Sequence, residues 1–390
     1  MSATVRVTRD IDLAEECVQD AYARALASWA AKGVPDRPGA WLTTAARNRA
    51  LDVLRREALF RRAAPELVVD DVEPATVDVS DIPDDRLRLI CTCCHPALGS
   101  DAQVALTLRL LCGLSTVEVA RAFLVSEPTM AARITRAKKK IAAAHIPYRV
   151  PSTQDLPERV DAILAVLYLI FTTGHTAPTG DSLVRHELVA RAIDLARMLH
   201  ALLPGDGDVS GLLALIRLTD ARRATRVDAA GELLLLQDQD RTLWDGPAIA
   251  EGSELVRVAL RARPPRRYAL QAAIAAVHAQ APSWAATDWG EILGLYEVLL
   301  ATWPSPVVAL NRAVAVGFAH GPADGLAALD ELALEPLLST YGYLPAARGE
   351  FLRRLGRDEP ARLAFAEALL LTENAVERRF LSRRLAELGG

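Results

Sequence analysis

The chain has 390 residues, 51% of them hydrophobic and 5% aromatic, with five cysteines and a formal net charge of −4. This length predicts two or three separate cores, and the many Ala and Leu residues with few β-branched runs favour an all-α fold. The cysteines are too few for a disulfide scaffold, and the chain shows neither an N-terminal secretion signal nor an apolar run long enough to cross a bilayer. These observations argue against the secreted and membrane classes, so we expect a cytoplasmic protein with no membrane partner.

Residues 11–62 predict two helices separated by the turn-rich loop from Lys32 to Gly39. The second helix carries an aromatic ring, an amide and charged groups on or beside one stripe: Trp41, Arg47, Asn48, Asp52, Arg55 and Arg56. Such side chains suit unpaired bases and a phosphate backbone. The alternative is that Trp41 is a core anchor and Asp52 a salt-bridge partner.

Helical periodicity is lost over residues 63–83, where acidic residues alternate with Pro65, Pro74 and Pro83. Residues 66–85 hold eight Asp and Glu residues and no base. This pattern predicts an extended, self-repelling linker over residues 64–83, between a first domain at 1–63 and a second at 84–147.

A cysteine-rich cluster, Cys91, Cys93, Cys94 and His95, lies in the second domain. Its spacing lacks the two separated ligand pairs of a zinc site, so it is a weak candidate for metal binding or a thiol switch. The alternative is that small cysteine side chains pack inside a helix end. We expect no metal and no cofactor.

Two helix starts follow each other closely in the same domain. Ser115 and Glu118 form a capping box, which predicts a helix from residue 116 to about Phe123. A second helix is expected to start at Ser126 and to bury the face listed here: Met130, Ile134, Ala137 and Ile141. This arrangement is typical of a helix-turn-helix. Leu124 stands where such turns usually carry glycine, which predicts either a slightly opened turn or strain that is offset by packing of Leu124 against the first helix.

The second of these helices has a basic outward face. Residues 121–149 hold seven Lys and Arg residues against one acid. The predicted DNA contacts are Glu127, Thr129, Arg133, Arg136, Lys138, Lys139 and Lys140. Arginine can pair with guanine acceptors in the major groove, and lysines attract phosphates. The alternative is an ordinary solvated charged face.

After a connector at 148–157 interrupted by prolines, residues 158–390 predict a long helical extension. Weak similarity recurs at intervals of 33 and 36 residues, which suits stacked helix pairs. In the final unit Gly349, Ala361, Phe365 and Ala368 keep tetratricopeptide-like spacing, with small residues at close approaches and Phe365 filling the gap to the neighbouring pair. A generic helical bundle remains the alternative. The extension also contains Asp238, Asp240, Arg241, Trp244 and Asp245. These residues favour an ion-pair network, or a lock between the extension and the front domains, over an active site.

The front of the chain resembles the extracytoplasmic-function group of sigma-70 factors. Leu114 to Ile141 resembles region four of that family, and Ala14 to Tyr22 together with Trp41 to Arg56 resembles region two. Asp228 to Asp245 is similar to the extension of a subgroup with a tetratricopeptide-like C-terminal domain. Only about ten residues precede Asp12, so the region-two domain is expected to be short at its N-terminus.

The resemblance implies RNA polymerase core and promoter DNA as partners. The helix from Asp12 to Trp29 would bind the polymerase clamp helices through Glu16, Gln19, Asp20 and Arg24. The loop from Lys32 to Gly39 would capture a flipped base, and the acidic linker would thread the polymerase cleft, although a plain tether fits the sequence equally well.

The resulting hypothesis is a non-enzymatic sigma factor that directs polymerase to specific promoters. We expect its C-terminal extension to regulate it through an intramolecular or protein partner. The alternative is a helix-turn-helix transcriptional regulator with a partner-sensing tetratricopeptide-like domain, which would bind duplex DNA without polymerase.

Overall fold

The computed structural model describes residues 1–63, 85–123, 125–149, 151, 156–262 and 264–389, and eighteen α-helices lie in these ranges. They form two compact units, Met1–Val166 and Leu167–Gly390. Two isolated bridges are the strand-like pairings within the described ranges. The predicted all-α fold is confirmed. The predicted acidic linker and the turn at Leu124 lie outside the described residues.

The first unit joins the two predicted front domains through direct contacts. Its helices are α1 (Ser2–Thr8), α2 (Ile11–Lys32), α3 (Pro38–Ala63), α4 (Asp85–Cys93), α5 (Ser100–Leu110), α6 (Thr116–Phe123) and α7 (Glu127–Ala143). The two helices predicted over residues 11–62 correspond to α2 and α3, and α1 packs on both and on α4. The Tyr148 hydroxyl oxygen lies 2.8 Å from the carbonyl oxygens of both Ser2 and Asp85, so its one proton is shared between them or donated to either, which ties α1 to the start of α4.

Small residues let α2 and α3 lie close together. Asp10 caps α2 through its carboxylate, and Gly33 ends it with a positive φ of 81°. Ala14, Ala21 and Ala46 are buried between the helices. At the loop end, the rings of Trp29 and Trp41 meet edge to face with centroids 5.6 Å apart. The loop between these helices is therefore flanked by two partly exposed tryptophans.

The second unit is built from helix pairs. Helix α8 (Leu156–His175) crosses the division, and the others are α9 (His186–Leu202), α10 (Gly207–Asp220), α11 (Gly246–Ala259), α12 (Arg267–Gln280), α13 (Trp289–Thr302), α14 (Pro306–Ala319), α15 (Pro322–Asp330), α16 (Tyr343–Arg354), α17 (Asp358–Leu371) and α18 (Ala375–Glu387). Within the described ranges, none of the helices is long and apolar enough to cross a membrane.

Glycines lie against aromatic rings in the last helix pairs. A Cβ on Gly349 would stand 2.9 Å from Phe365, whose side chain is fully buried. The predicted close approach at Gly349 is confirmed, but Phe365 of α17 fills the space against its own partner helix α16. A second ring, Phe351, occupies the same kind of space against Gly317 and Gly325.

The segment between α10 and α11 forms hydrogen bonds with two later helices, α16 and α18. Glu232 accepts from Arg379 and Arg383 of α18, and Gln237 accepts from Arg354 of α16. The buried Asn374, which caps α18, donates to the carbonyls of Ala177 and Ser182 at 2.9 and 3.0 Å. These bonds tie the end of the second unit to its beginning, a closure that a simple linear stack of repeats does not predict.

His175 makes the second unit sensitive to acid. Burial, and then nearby positive charge from Arg226, lowers the pKa of this histidine to about 2, whereas an unfolded histidine has a pKa of about 6.5. The unfolded chain therefore binds more protons between these values, and the stability contributed by the neutral ring is lost as pH falls below 6.5. Lowering the pH from 7 to 5 should reduce the free energy of unfolding by about 2 kcal/mol through this residue.

Urea unfolding of the full chain at pH 5, 6 and 7, followed by tryptophan fluorescence, measures this effect. His175→Phe should remove that share of the pH dependence, whereas the same change at exposed His320 should leave it intact. Equal pH slopes for wild type and His175→Phe would contradict the assignment.

Candidate nucleic-acid and polymerase interfaces

Helices α6 and α7 form the helix-turn-helix that the capping residues predict. The Ser115 backbone N–H donates to Glu118 at 2.6 Å, and the Glu118 N–H donates to the Ser115 hydroxyl at 3.2 Å. Ser126 caps α7 through Thr129. The inward face is buried as predicted: Met130, Ile134, Ala137 and Ile141. The start of each helix and the packed face of α7 are confirmed.

Five of the predicted DNA contacts on α7 are exposed. They are Glu127, Thr129, Arg136, Lys139 and Lys140. Arg133 is only partly exposed, and its Nη1 lies 3.1 Å from Asp101 of α5. The exposed members form a positive strip along α7, which can attract a phosphate backbone and place arginine near base edges.

Lys138 was predicted to contact DNA, but it does not belong to the exposed strip of α7. Its side chain is 12% exposed and contacts two acids of α2, Asp12 at 2.7 Å and Glu15. Burial disfavours the charged amine, but hydrogen bonds to both acids outweigh it and raise the pKa of Lys138. Glu15 also pairs with Arg109 at 3.0 Å. Helix α7 is thus held against α2 by a cluster of two bases and two acids.

The nucleic-acid residues predicted on α3 lie on its surface. Arg47, Asn48, Asp52, Arg55 and Arg56 are exposed, and Trp41 is partly exposed beside Trp29. Asp52 lies 3.9 Å from Arg55, a loose pair on one helix. Trp41 is half-buried against Trp29, which fits the core-anchor alternative, and its contact with unpaired bases stays a prediction.

Some of the predicted polymerase contacts on α2 are exposed, and one is bound to a neighbouring helix. Glu16, Gln19 and Arg24 are exposed, but Asp20 accepts a hydrogen bond of 2.7 Å from Arg49 of α3. This bond fixes Asp20 as a link between the helices.

Sequence reasoning missed two apolar residues on α2. Tyr22 is 55% exposed and Leu26 77% exposed, one helical turn apart. With Gln19 they form a row, here called the α2 stripe, beside the buried alanine face. Apolar residues at this spacing outside the packed face were a readable sign of a docking surface.

The cysteine cluster lies in the interior of the first unit. Cys91, Cys93, Cys94 and Cys112 are buried, and Cys94 Sγ lies 3.7 Å from the Thr107 hydroxyl. Burial raises the pKa of Cys91 to about 11 and that of Cys94 to about 12, so these thiols stay protonated. No group of three metal-ligating side chains occurs among the described residues. The arrangement fits core packing.

Asp240 and Asp245, near Trp244, cap helices, and in the described part of the chain neither they nor Asp238 form the predicted ion pairs. Asp240 accepts from the Thr242 N–H, and Asp245 accepts from the Ala248 N–H. Arg241 donates to the carbonyls of His278 and Ala281 at 2.6 and 2.7 Å. The network fails because capping and carbonyl bonds satisfy the same groups locally.

An exposed basic strip on a capped helix-turn-helix, in the same unit as the exposed arginines of α3, is typical of a DNA-binding protein. Residues 1–60 match sigma-70 region 2, and residues 89–141 match sigma-70 region 4. The chain belongs to the sigma-70 family of sigma factors, whose members recognise promoters and initiate transcription with RNA polymerase core.

The second unit carries a different match. Residues 159–260 match a family of unknown function, DUF6596. Uncharacterized protein R00370 of Rhizobium meliloti (strain 1021) is 43% identical over 394 residues, a match that covers 100% of this chain and 93% of that protein. The likeness to that protein therefore includes the second unit as well as the sigma domains.

Proposed function

We propose that this chain is a sigma factor of the extracytoplasmic-function group in which the exposed strip of α7 reads the upstream promoter element and the surface of α3 binds the opened downstream element. The α2 stripe docks on RNA polymerase core. The chain acts by binding and positioning and not by catalysis. The observation that carries the proposal is the presence of both helices, each with exposed arginines, in one unit that matches regions 2 and 4.

Run-off transcription with purified core polymerase tests the proposal. Templates selected from random upstream and downstream sequences should give promoter-specific transcripts only when the chain is present. Arg136→Ala should reduce transcription by about tenfold at the preferred promoter, since an arginine that contacts a base contributes roughly 1–3 kcal/mol to recognition of that base. Sequence-specific gel shifts without polymerase, and no transcript with it, would instead establish a helix-turn-helix regulator.

The contact between α7 and α2 gives a further expected result. Asp12→Asn with Glu15→Gln should release Lys138 and strengthen binding of duplex DNA by the full-length protein without polymerase. The dependence of log Kd on log salt concentration should steepen by about one, as one added phosphate contact does. Fluorescence anisotropy of a labelled duplex at several salt concentrations measures the slope.

The matched control removes two acids from exposed ion pairs in the second unit, Glu297→Gln with Asp330→Asn. This control changes net charge equally but should leave the slope unchanged. A steeper slope in the control as well would show that net charge, and not Lys138, causes the effect.

The second unit is proposed to regulate the sigma activity, as a tetratricopeptide-like helical extension. Support comes from the helix pairs with glycine–aromatic contacts and from the match to R00370 that spans both units. Transcription by a chain ending at residue 155, checked for folding by circular dichroism, tests the regulatory role. Promoter activity equal to that of the full chain would reject it.

A further inference from the structure

A cavity of about 520 Å³ lies within the second unit, among α10, α12, α13 and α14. Its volume falls within the range of pockets that hold small organic ligands, about 300–1,000 Å³. The lining residues lie between Tyr168 and Asn311, so part of the wall comes from the DUF6596 match and part from helices beyond it. The cavity therefore needs helices inside and beyond the DUF6596 match.

The walls of the cavity combine tryptophan and tyrosine rings with aliphatic side chains. Trp244 and Trp303 line it together with Tyr168 and Tyr296. The Trp244 ring is held in place because its Nε1 donates to Thr225 at 2.9 Å and the Arg241 guanidinium stacks 4.6 Å from its centre. Fixed rings of this kind favour a flat, apolar body by stacking and edge contacts.

One side of the cavity carries a positive charge. Arg222 lines it, and among the described residues no Asp or Glu does. Burial, followed by repulsion from Arg226 and Arg241, lowers the pKa of Arg222 to about 10, so it remains charged at neutral pH. In the described part of the chain no carboxylate forms an ion pair with it. A partly buried cation without a counter-charge is costly, and an anion placed beside it would offset that cost.

Two further lining residues have unsatisfied polar atoms. Gln271 Oε1 and His278 Nδ1 are buried and, among the described residues, have no hydrogen-bond partner. Burial lowers the pKa of His278 to about 4, so its ring is neutral at pH 7 and can accept or donate one hydrogen bond. Neither atom exposes surface to water, so other atoms of Gln271 and His278 form the cavity wall that a ligand would touch.

We infer that the second unit binds a small organic acid, with a single carboxylate beside Arg222 and a flat ring system between the tryptophans and tyrosines. The aromatic walls and the uncompensated charge select this class together. A purely inorganic anion would leave the walls unused, and a neutral ring would leave Arg222 without a partner. This inference stands apart from the sigma function, since it concerns binding by the second unit alone.

Isothermal titration calorimetry of the full-length protein with 2-naphthoate and its neutral isostere 2-naphthamide tests the inference. The acid should bind about tenfold or more tightly than the amide, because hydrogen bonds to charged groups are worth that factor. Arg222→Gln should remove the preference for the acid. The matched control Arg191→Gln, at an exposed position on α9, should retain it.

Ala275→Trp supplies a second variant that fills the cavity and leaves the charge in place. It should abolish binding of both compounds while circular dichroism shows a native helical signal. Should it not fold, the comparison between acid and amide on wild type and Arg222→Gln still decides the matter.

Three results would overturn the inference: no binding of 2-naphthoate up to its solubility limit, equal affinity for acid and amide, or an unchanged preference in Arg222→Gln. Inorganic phosphate binding as tightly as 2-naphthoate would overturn it too, since the aromatic walls would then contribute nothing.

Discussion

Replacing Leu26 with glutamate should weaken binding to RNA polymerase core by at least about thirtyfold, since a central apolar contact is worth 2 kcal/mol or more. Leu26 is 77% exposed and lies one helical turn from Tyr22, so the substitution removes no internal packing. A charge placed in the middle of a docking surface must be desolvated on binding, which adds to the loss. Surface plasmon resonance with immobilised core enzyme measures the change.

The same substitution at Leu334 provides the control. This residue is 94% exposed in the second unit and lies outside the proposed polymerase surface. Leu334→Glu should keep wild-type affinity and run-off activity. If Leu26→Glu also binds core polymerase normally while folding like wild type, the α2 stripe is not the docking surface.

Local signals in the sequence predicted the helix-turn-helix well. The boundaries of α6 and α7 follow from short-range hydrogen bonds at Ser115, Glu118 and Ser126, which need no knowledge of the rest of the chain. The buried face of α7 follows from its period for the same reason. Capping and periodicity together decide these elements.

The burial and ion pairs of Lys138 could not be predicted from such local signals. Its acidic partners, Asp12 and Glu15, lie more than a hundred residues earlier in the chain, and α2 carries other acids that were equally plausible partners. Which acids meet which base depends on how α2 packs against α7. A run of three lysines therefore looked uniform in sequence, while the fold buries one and exposes the other two.

The cavity could not be predicted from the sequence for a related reason. Arg222 and Trp244 come from a segment with short 3₁₀ turns and no helical period, whereas Gln271 and His278 come from α12. Nothing in the spacing of these residues brings them together. The small-residue pattern of the last repeat was more informative, because Gly349 and Phe365 lie on adjacent paired helices.

Gly211→Ala should lower the free energy of unfolding of the second unit by about 2 kcal/mol, although alanine is intrinsically the better helix former. Gly211 is buried on α10, and an added Cβ would stand 2.7 Å from the backbone nitrogen of Ala269 and 2.9 Å from the carbonyl carbon of Tyr268. Backbone atoms cannot rotate away as a side chain does. Helices α10 and α12 must separate, and the core between them loses packing.

Gly294→Ala is the opposite case on a neighbouring helix. Gly294 is an exposed interior residue of α13, and no atom lies within 4 Å of an added Cβ. This variant should gain about 0.5–1 kcal/mol, because alanine loses less backbone entropy in a helix. Urea unfolding monitored by the tryptophans of the second unit compares the two. Because α10 and α12 also form walls of the cavity, Gly211→Ala should weaken 2-naphthoate binding, whereas Gly294→Ala should not. Equal stability of the two variants would mean that α10 and α12 tolerate separation and that their close contact does not hold the second unit together.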